Sequence, residues 1–233
     1  MSSIAENVRR IREEMAEAAI RAGREPGEIL LCAATKMNDA LRVREAVLAG
    51  VDLCGENRVQ ELTQKLSENA YAPCRVDFIG HLQTNKVNKV VGNVALIQSV
   101  DRPDLLRCLD AAACRLGLRQ DILLEVNIGG ESSKSGFSKE EALALSGEME
   151  AFSNLRLRGL MAIPPVANIP GGNRRFFAEM KALSVDIMSK KQDNILMDCL
   201  SMGMSDDFAD AIREGSTMIR VGTAIFGARD YTK

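Results

Sequence analysis

The stretch "EILLCAATKMND", residues 28–39, places one lysine directly after a run of apolar and small residues. The run is continuous rather than alternating, which is typical of a strand that is covered on both faces within a parallel sheet. A turn is expected immediately afterwards, at Asn38 and Asp39. An amine at the end of a buried strand costs free energy unless it is solvated, paired or chemically altered, so Lys36 is the first functional candidate.

Apolar runs of the same kind recur along the whole chain. The other predicted strands are "VDLC", "VDFIG", "VALIQSV", "DILLEVN", "LRLRGLMAI", "ILMDCLSM" and "TMIRVG". Amphipathic patterns between them predict helices over 39–49, 57–69, 82–91, 102–117, 138–149, 173–190 and 205–214. Eight strands alternating with helices in 233 residues predict an α/β fold, a single (β/α)8 barrel of the TIM type. An open doubly wound sheet is the alternative, but no G-x-G-x-x-G follows the first strand.

An additional helix is predicted before the first strand, within residues 1–24. Its apolar side chains are spaced by three and four residues, and Ser3 with Glu6 forms a capping box. We expect this helix to cover the gap that is left after strand eight. Because no linker or low-complexity stretch interrupts the pattern, residues 1–233 are expected to form one domain.

Charge and cysteine content argue against several classes of function. A formal net charge of −2 provides no positive field for nucleic acid or an anionic membrane. The N-terminus has no apolar signal core, and no apolar stretch is long enough to span a bilayer. The six cysteines are scattered without a C-x-x-C pair, and one histidine is present, so a zinc cluster is disfavoured. These features favour the reducing cytoplasm as the compartment.

In a barrel of this type, function is found in the loops that follow the C-terminal ends of the strands. The loops after strands seven and eight often bind phosphate. Here they are "LSMGMSDD" and "RVGTAIFG", which supply the hydroxyls of Ser201 and Thr223 together with glycines at which a ligand can approach the backbone. Helix caps and turns explain either stretch alone, but both stretches together favour a site for one phosphate monoester.

The predicted phosphate site gives Lys36 a partner. A lysine at the same mouth could form an imine with an aldehyde that carries a phosphate, because partial burial lowers the pKa of an amine and makes it nucleophilic. A lysine that merely extends to the rim is the simpler interpretation of Lys36 alone. Together with the phosphate site, it makes pyridoxal 5′-phosphate (PLP) the leading ligand.

Seven motifs in strand order closely resemble the pyridoxal-phosphate homeostasis protein family. They are "ATK", "GENRVQE", "FIGHLQTNK", "VNIGGESSKSGF", "LRGLMAI", "LSMGMSDD" and "IRVGTAIFG". Members of that family look like the N-terminal barrel domain of alanine racemase, standing alone. The resemblance implies that Lys36 carries PLP as a Schiff base and that the protein buffers or delivers PLP, influencing amino-acid and keto-acid balance, without turning over a substrate.

The resemblance also assigns the remaining cofactor contacts. It implies that Ser201, Gly222 and Thr223 hold the phosphate. It implies further that Arg220 faces the pyridine nitrogen and that Asn57, in "GEN", lies near the ring.

Two functions remain open at the level of sequence. An arginine opposes protonation of the pyridine nitrogen and weakens the ring as an electron sink, which favours a non-catalytic PLP carrier. A compact PLP-dependent amino-acid racemase is the alternative. Alanine racemase uses a tyrosine as second base, supplied by a separate domain and by dimer formation. The tyrosines of this chain, Tyr71 and Tyr231, are predicted in a helix-to-strand loop and at the terminus, where neither is an evident second base.

Three further polar residues have more than one interpretation. His81 could act in acid–base chemistry or form structural hydrogen bonds. Glu56 could be a base, or could pair with Arg58 or with neighbours of Lys36. Lys134 could contribute to a positive rim or be a solvated loop residue. We expect a monomer, with transient contacts to PLP-dependent apo-enzymes as the partners.

Overall fold

A computed structural model describes residues 3–167, 169–190 and 192–227. Eight parallel strands form a closed barrel in sequence order, and the first strand pairs with the last. The strands are β1 Leu30–Ala34, β2 Leu53–Glu56, β3 Arg75–Phe78, β4 Leu96–Val100, β5 Gln120–Val126, β6 Leu155–Ala162, β7 Ile195–Ser201 and β8 Met218–Val221. The prediction of a TIM-type barrel is confirmed.

Helices surround the barrel in the alternating order that the sequence predicted. They are α1 Ile4–Arg21, α2 Ala40–Leu48, α3 Val59–Ser67, α4 Pro103–Leu116, α5 Lys139–Ser146, α6 Arg174–Met188, α7 Phe208–Arg213 and α8 Thr223–Phe226. Short 3-10 helices cover Pro26–Glu28, Thr84–Lys89 and Met149–Ala151. None of the helices within the described residues is long and apolar enough to cross a membrane.

One predicted helix has a different form. The amphipathic helix expected over 82–91 is a six-residue 3-10 helix, Thr84–Lys89. Its sequence "TNKVNK" buries only Val87, so it has no apolar stripe to pack an α-helix against the sheet. A groove lies between this segment and α3.

Helix α1 occupies the position that the sequence predicted for it. Its capping box is present, with Ser3 and Glu6 each accepting from the other's backbone N–H. The helix packs against α2, α7 and α8, and the Asn7 side chain donates to the Ile225 carbonyl at 2.9 Å. Helix α1 thus fills the gap in the helical ring beyond β8.

The interior has two layers. A large apolar layer lies between the strands and the helices, and includes Phe78, Leu106 and Phe177, which are fully buried. A smaller cluster fills the barrel lumen, and its members are Cys32, Leu53, Leu96, Leu123, Met161, Cys199 and Met218. Polar side chains replace apolar ones in the lumen toward the C-terminal ends of the strands. The candidate site lies at that end.

Candidate functional site

Lys36 lies two residues beyond the end of β1 and is half-buried. The residue before it is anchored to β2, since the Thr35 N–H donates to the Gly55 carbonyl at 2.9 Å. The residue after it, Met37, has φ 60°, in the left-handed region. The Asn38 amide then donates to the Lys36 carbonyl at 3.0 Å. The turn is thus centred on Lys36 and Met37, two residues before the predicted position at Asn38 and Asp39, because the Asn38 N–H donates to the Thr35 carbonyl at 3.2 Å and Asp39 caps α2. This turn fixes the backbone from which the Lys36 side chain extends.

Asn57 lies one strand along from Lys36, just after β2. Its Oδ1 atom is buried and has no hydrogen-bond partner among the described residues. The backbone of Asn57 lies close to Gly80: a Cβ added at Gly80 would be 2.1 Å from the Asn57 carbonyl oxygen. Buried polar atoms are normally satisfied, so an orphaned amide oxygen marks a position where a ligand can donate a hydrogen bond.

Arg220 rises from β8, the strand that pairs with β1. The guanidinium is buried, and it donates to the Ser201 hydroxyl at 2.6 Å and to the Ala162 carbonyl at 2.8 Å. Burial lowers the pKa of Arg220 from its ordinary value, but an arginine remains cationic in proteins. The lumen therefore holds a fixed positive charge below the mouth.

Ser201 belongs to a hydrogen-bond chain that crosses the lumen. Its hydroxyl accepts from Arg220 and donates to Gln98 Oε1 at 2.7 Å. The Gln98 amide donates in turn to Asp77 Oδ2 at 2.8 Å. The Ser201 side chain is fully buried, so its oxygen is occupied inside the barrel.

A second pair of hydroxyls lies at the mouth itself. Ser205 Oγ and Thr223 Oγ1 are 3.2 Å apart, linking the loop after β7 to the start of α8. Gly222 lies beside them, and a Cβ at this position would be 3.5 Å from Ala34 on β1. The sequence pattern predicts Ser205 as the start of a helix and not as a candidate site residue. A second serine beyond the glycine of "LSMGMSDD" was the signal that could have identified it.

His81 and Lys134 are also near the strand ends, and both are paired. His81 Nδ1 is 2.9 Å from a carboxylate oxygen of buried Asp101, while more than half of the imidazole side chain is exposed, at 55%. Lys134 forms an ion pair with Glu131 at 2.5 Å and donates to the Pro164 carbonyl at 3.2 Å. Asp101 orients the histidine, and Lys134 ties two loops together.

Glu56 and Tyr71 are fixed in the interior. Glu56 is fully buried and pairs with Lys65 at 2.7 Å, and it also accepts from Thr35, a neighbour of Lys36. The Tyr71 hydroxyl donates to Glu56 at 3.3 Å, and burial followed by the charge of Glu56 raises the pKa of Tyr71 well above its ordinary value. A phenol in this environment is a poor base. Tyr231 lies outside the described residues.

The mouth thus combines groups with complementary chemistry. Lys36 supplies an amine, Asn57 an unsatisfied acceptor, and Arg220 a cation. Ser205 and Thr223 supply hydroxyl donors of the kind that bind phosphate oxygens. Such a set suits an aldehyde that carries an anionic group, because one end can condense with the amine while the other is hydrogen-bonded.

Comparison with known proteins finds similar sequences that match almost the whole chain. The family described as alanine racemase, N-terminal domain, matches residues 1–230. The pyridoxal phosphate homeostasis protein of Pseudomonas aeruginosa is 41% identical over 231 residues, 99% of this chain and 98% of the relative. The protein of the same name from Escherichia coli is 38% identical over 237 residues, with 100% of both chains covered.

Solved structures share the same fold. PipY of Synechococcus elongatus, with PLP bound, has a TM-score of 0.83 and 30% sequence identity, covering 97% of this chain and 100% of that chain. An alanine racemase from Streptomyces lavendulae has a TM-score of 0.76 at 16% identity, covering 97% of this chain and 58% of the other. At that identity the likeness concerns the fold alone.

Proposed function

Because this chain belongs to the pyridoxal phosphate homeostasis protein family, built on the alanine racemase N-terminal domain, we propose that it binds PLP and serves in PLP homeostasis. The observation that carries the proposal is the pairing of β1 with β8. This pairing sets the ends of the two strands side by side, Ala33 opposite Val221, which supports a site that Lys36 shares with the residues of the β8 end. When bound, PLP supplies an aldehyde for condensation and a phosphate as a handle.

Each residue of the mouth has a distinct role in this proposal. Lys36 holds PLP covalently as a Schiff base. Arg220 faces the pyridine nitrogen, and its bonds to Ser201 and Ala162 keep the guanidinium in place. The orphaned Oδ1 of Asn57 accepts a hydrogen bond beside the ring.

The phosphate is held at the β7 and β8 loops. Ser201, Gly222 and Thr223 are the contacts expected from the resemblance. The geometry favours adding Ser205, since its hydroxyl is already 3.2 Å from that of Thr223, whereas the Ser201 hydroxyl is engaged by Gln98 and Arg220.

The protein is proposed to be a carrier rather than an enzyme. A cation opposite the pyridine nitrogen disfavours the protonated ring that acts as a strong electron sink. Tyr71 hydrogen-bonds to Glu56 and has a raised pKa, so it does not serve as a second base. We propose that the protein buffers PLP or delivers it to PLP-dependent apo-enzymes in the cytoplasm, and that it acts as a monomer.

One observation supports the alternative, a compact amino-acid racemase. The exposed imidazole of His81 is oriented by buried Asp101, and a histidine held in this way can move protons. A turnover assay distinguishes the carrier from the racemase. Racemisation of L- or D-alanine well above the rate of free PLP would favour the enzyme, and its absence would favour the carrier.

The Schiff base is tested by replacing the lysine. We expect the purified protein with PLP to absorb at the edge of the visible range, and borohydride followed by peptide mapping to place the label on Lys36. Lys36→Ala should abolish the band, because no amine then extends from the end of β1. Lys134→Ala is the matched control, since it removes another lysine of the same end of the barrel and should retain the band. A band that persists in Lys36→Ala would reject the assignment.

A further inference from the structure

A buried ion-pair cluster lies beside the strand end that carries Lys36. Its members are Glu56 at the end of β2 and Glu61 and Lys65 on α3. Lys65 Nζ lies 2.7 Å from Glu56 Oε2 and 3.1 Å from Glu61 Oε2. The side chains of Lys65 and Glu56 are 5% and 0% exposed, so the cluster is an internal feature rather than a surface salt bridge.

Lys65 uses its whole hydrogen-bonding capacity within this cluster. Besides the two carboxylates, its Nζ donates to the Thr35 carbonyl at 2.8 Å. Three acceptors match the three N–H donors of an ammonium group, which has no lone pair left for attack on a carbonyl. Lys65 is therefore a structural cation, although it is a buried lysine that contacts the residue next to Lys36.

The two carboxylates hold the residues on both sides of Lys36. Before it, Glu56 Oε2 accepts from the Thr35 hydroxyl at 2.9 Å. After it, Glu61 Oε2 accepts from the Met37 N–H at 2.7 Å. Glu56 Oε1 also accepts from the Asn57 N–H at 2.8 Å, so the same cluster positions a second residue of the mouth.

The bond to Met37 holds an unfavourable backbone conformation in place. Met37 has φ 60°, which is costly for a residue with a side chain other than Asn or Asp. Such conformations persist when surrounding contacts impose them, and they concentrate at functional sites. Glu61 is the contact that fixes the N–H of this residue, one position beyond the lysine.

We propose that Glu61, held by Lys65, is a positioning residue that keeps the backbone of Lys36 in the conformation from which its amine reaches an aldehyde at the mouth. The proposal rests on the proposed function and names a residue that controls the rate of condensation. In that step, the Lys36 nitrogen lone pair forms the new bond to the aldehyde carbon, the nitrogen loses its protons, and the carbonyl oxygen leaves as water. No oxidant or reductant is required.

The test compares Glu61→Ala with Glu61→Gln, each mixed with PLP while the visible absorbance is followed. Glu61→Ala removes the acceptor of the Met37 N–H, and we expect Schiff-base formation to slow about tenfold, because misplacing a reacting group raises the barrier to attack. Glu61→Gln retains an amide oxygen at that position, so its rate should return to within about threefold of the unmodified protein. Loss of charge alone would slow both variants equally.

Two further proteins complete the experiment. Glu214→Ala is the matched control, because Glu214 resembles Glu61 in exposure and pairing. The Glu214 side chain is 19% exposed and ion-paired to Arg174, and the Glu61 side chain is 20% exposed and ion-paired to Lys65. Glu214→Ala should destabilise the protein similarly without slowing the reaction. Lys65→Arg keeps a buried cation but moves the N–H donors that hold Glu61. We expect this variant to slow Schiff-base formation as Glu61→Ala does. It therefore tests the proposal even if Glu61→Ala fails to fold.

The outcomes separate this proposal from the proposed function. If the unmodified protein is labelled on Lys36 and Glu61→Ala reacts at the same rate, the positioning role is overturned while PLP binding stands. Equal slowing in Glu61→Ala and Glu61→Gln also overturns it. If borohydride labels no lysine in the unmodified protein, the proposed function itself fails.

Discussion

At the scale of single residues, two serines four positions apart serve different parts of the molecule. Ser201 ends β7 and its hydroxyl lies inside the lumen, between Gln98 and Arg220. Ser205 lies beyond Gly203, whose φ of 92° turns the chain toward the mouth. Its hydroxyl meets that of Thr223. The two side chains should therefore differ in their effect on the affinity for phosphate.

We predict that Ser205→Ala combined with Thr223→Val weakens PLP binding much more than it weakens binding of pyridoxal, which lacks the phosphate. Hydrogen bonds to a charged group contribute about 1.5–3 kcal/mol each, so the loss should be a few kcal/mol. Equilibrium titration of both vitamers with each protein measures the difference. Equal losses for the two vitamers would show that these hydroxyls do not contact the phosphate.

Ser201→Ala is the companion measurement. If Ser201 acts through Arg220, its loss should affect both vitamers alike, since both contain the pyridine ring. A loss that is confined to PLP would instead restore Ser201 as a phosphate contact, as the sequence analysis expected.

The sequence indicated Lys36 as a candidate and a contact between Glu56 and its neighbours, but it did not indicate Glu61 and Lys65. The amino-acid sequence alone shows a charged lysine after a run of apolar and small residues, which is why Lys36 could be identified. Lys65 lies in an amphipathic helix, where a buried, paired lysine has the same pattern as a solvated one. The spacing of Glu61 and Lys65 by four residues indicates an ion pair, but only the fold reveals that the pair faces Thr35 and Met37.

At the scale of elements, strand β6 depends on one glycine. Gly159 has φ 153° and lies at a register shift between β6 and β7. A Cβ at this position would be 1.6 Å from the Cys199 carbonyl oxygen, which no rotamer change can relieve. The closure of the barrel on this side therefore requires a residue without a side chain.

We predict that Gly159→Ala lowers the free energy of unfolding by about 3 kcal/mol or more, because the two strands must separate to admit the methyl group. Gly117→Ala is the matched control. Gly117 has φ 63° at the end of α4, but a Cβ added there would meet nothing within 4 Å, so backbone strain of about 1 kcal/mol is expected. Denaturant titration measures both. Similar losses for the two variants would contradict the steric explanation.

Sequence pattern predicts strands and long helices better than it predicts connections. The eight strands follow from apolar runs, and the capping box of α1 is present as predicted. The helix expected from Ser205 begins at Phe208, because the Asp207 side chain accepts from the Met204 N–H and closes a turn there first. Tertiary contacts decide which of two competing local hydrogen bonds forms. The pattern of residue types along the sequence carries no information about those contacts.

At the scale of the whole molecule, the chain from Arg220 through Ser201 and Gln98 to Asp77 links opposite sides of the barrel. Every donor points toward β3, and the chain ends on a carboxyl group whose Oδ1 has no hydrogen-bond partner among the described residues. Burial raises the pKa of Asp77 to about 7, while Arg75 and the Gln98 hydrogen bond oppose the rise. The stability of the entire sheet is thereby linked to pH.

We predict that stability falls as pH rises from about 4 to about 7. In this window the unfolded chain releases the Asp77 proton while the folded protein retains it, so the free energy of unfolding decreases with pH. Asp77→Asn keeps an oxygen to accept from Gln98 and removes the titration. Relative to the unmodified protein, it should gain about 2–4 kcal/mol between pH 5 and pH 8. Thermal or denaturant unfolding across the range measures this.

Glu125 contributes in the same direction, since burial and the charge of Asp101 raise its pKa to about 7 while Arg220 opposes the rise. Glu125→Gln should remove a further part of the slope. Identical pH profiles for Asp77→Asn and the unmodified protein would show that Asp77 is not the group responsible.

The junction of β1 with β8 determines when this protein can finish folding during its synthesis. Leu30 pairs with Met218, and Asn7 bonds to Ile225 across 218 positions of sequence. Until residues 218–221 have been synthesised, this edge of β1 has no partner strand, and unpaired edges invite association with other chains. We therefore expect the mouth that contains Lys36 to form only after β8 has been synthesised and has paired with β1.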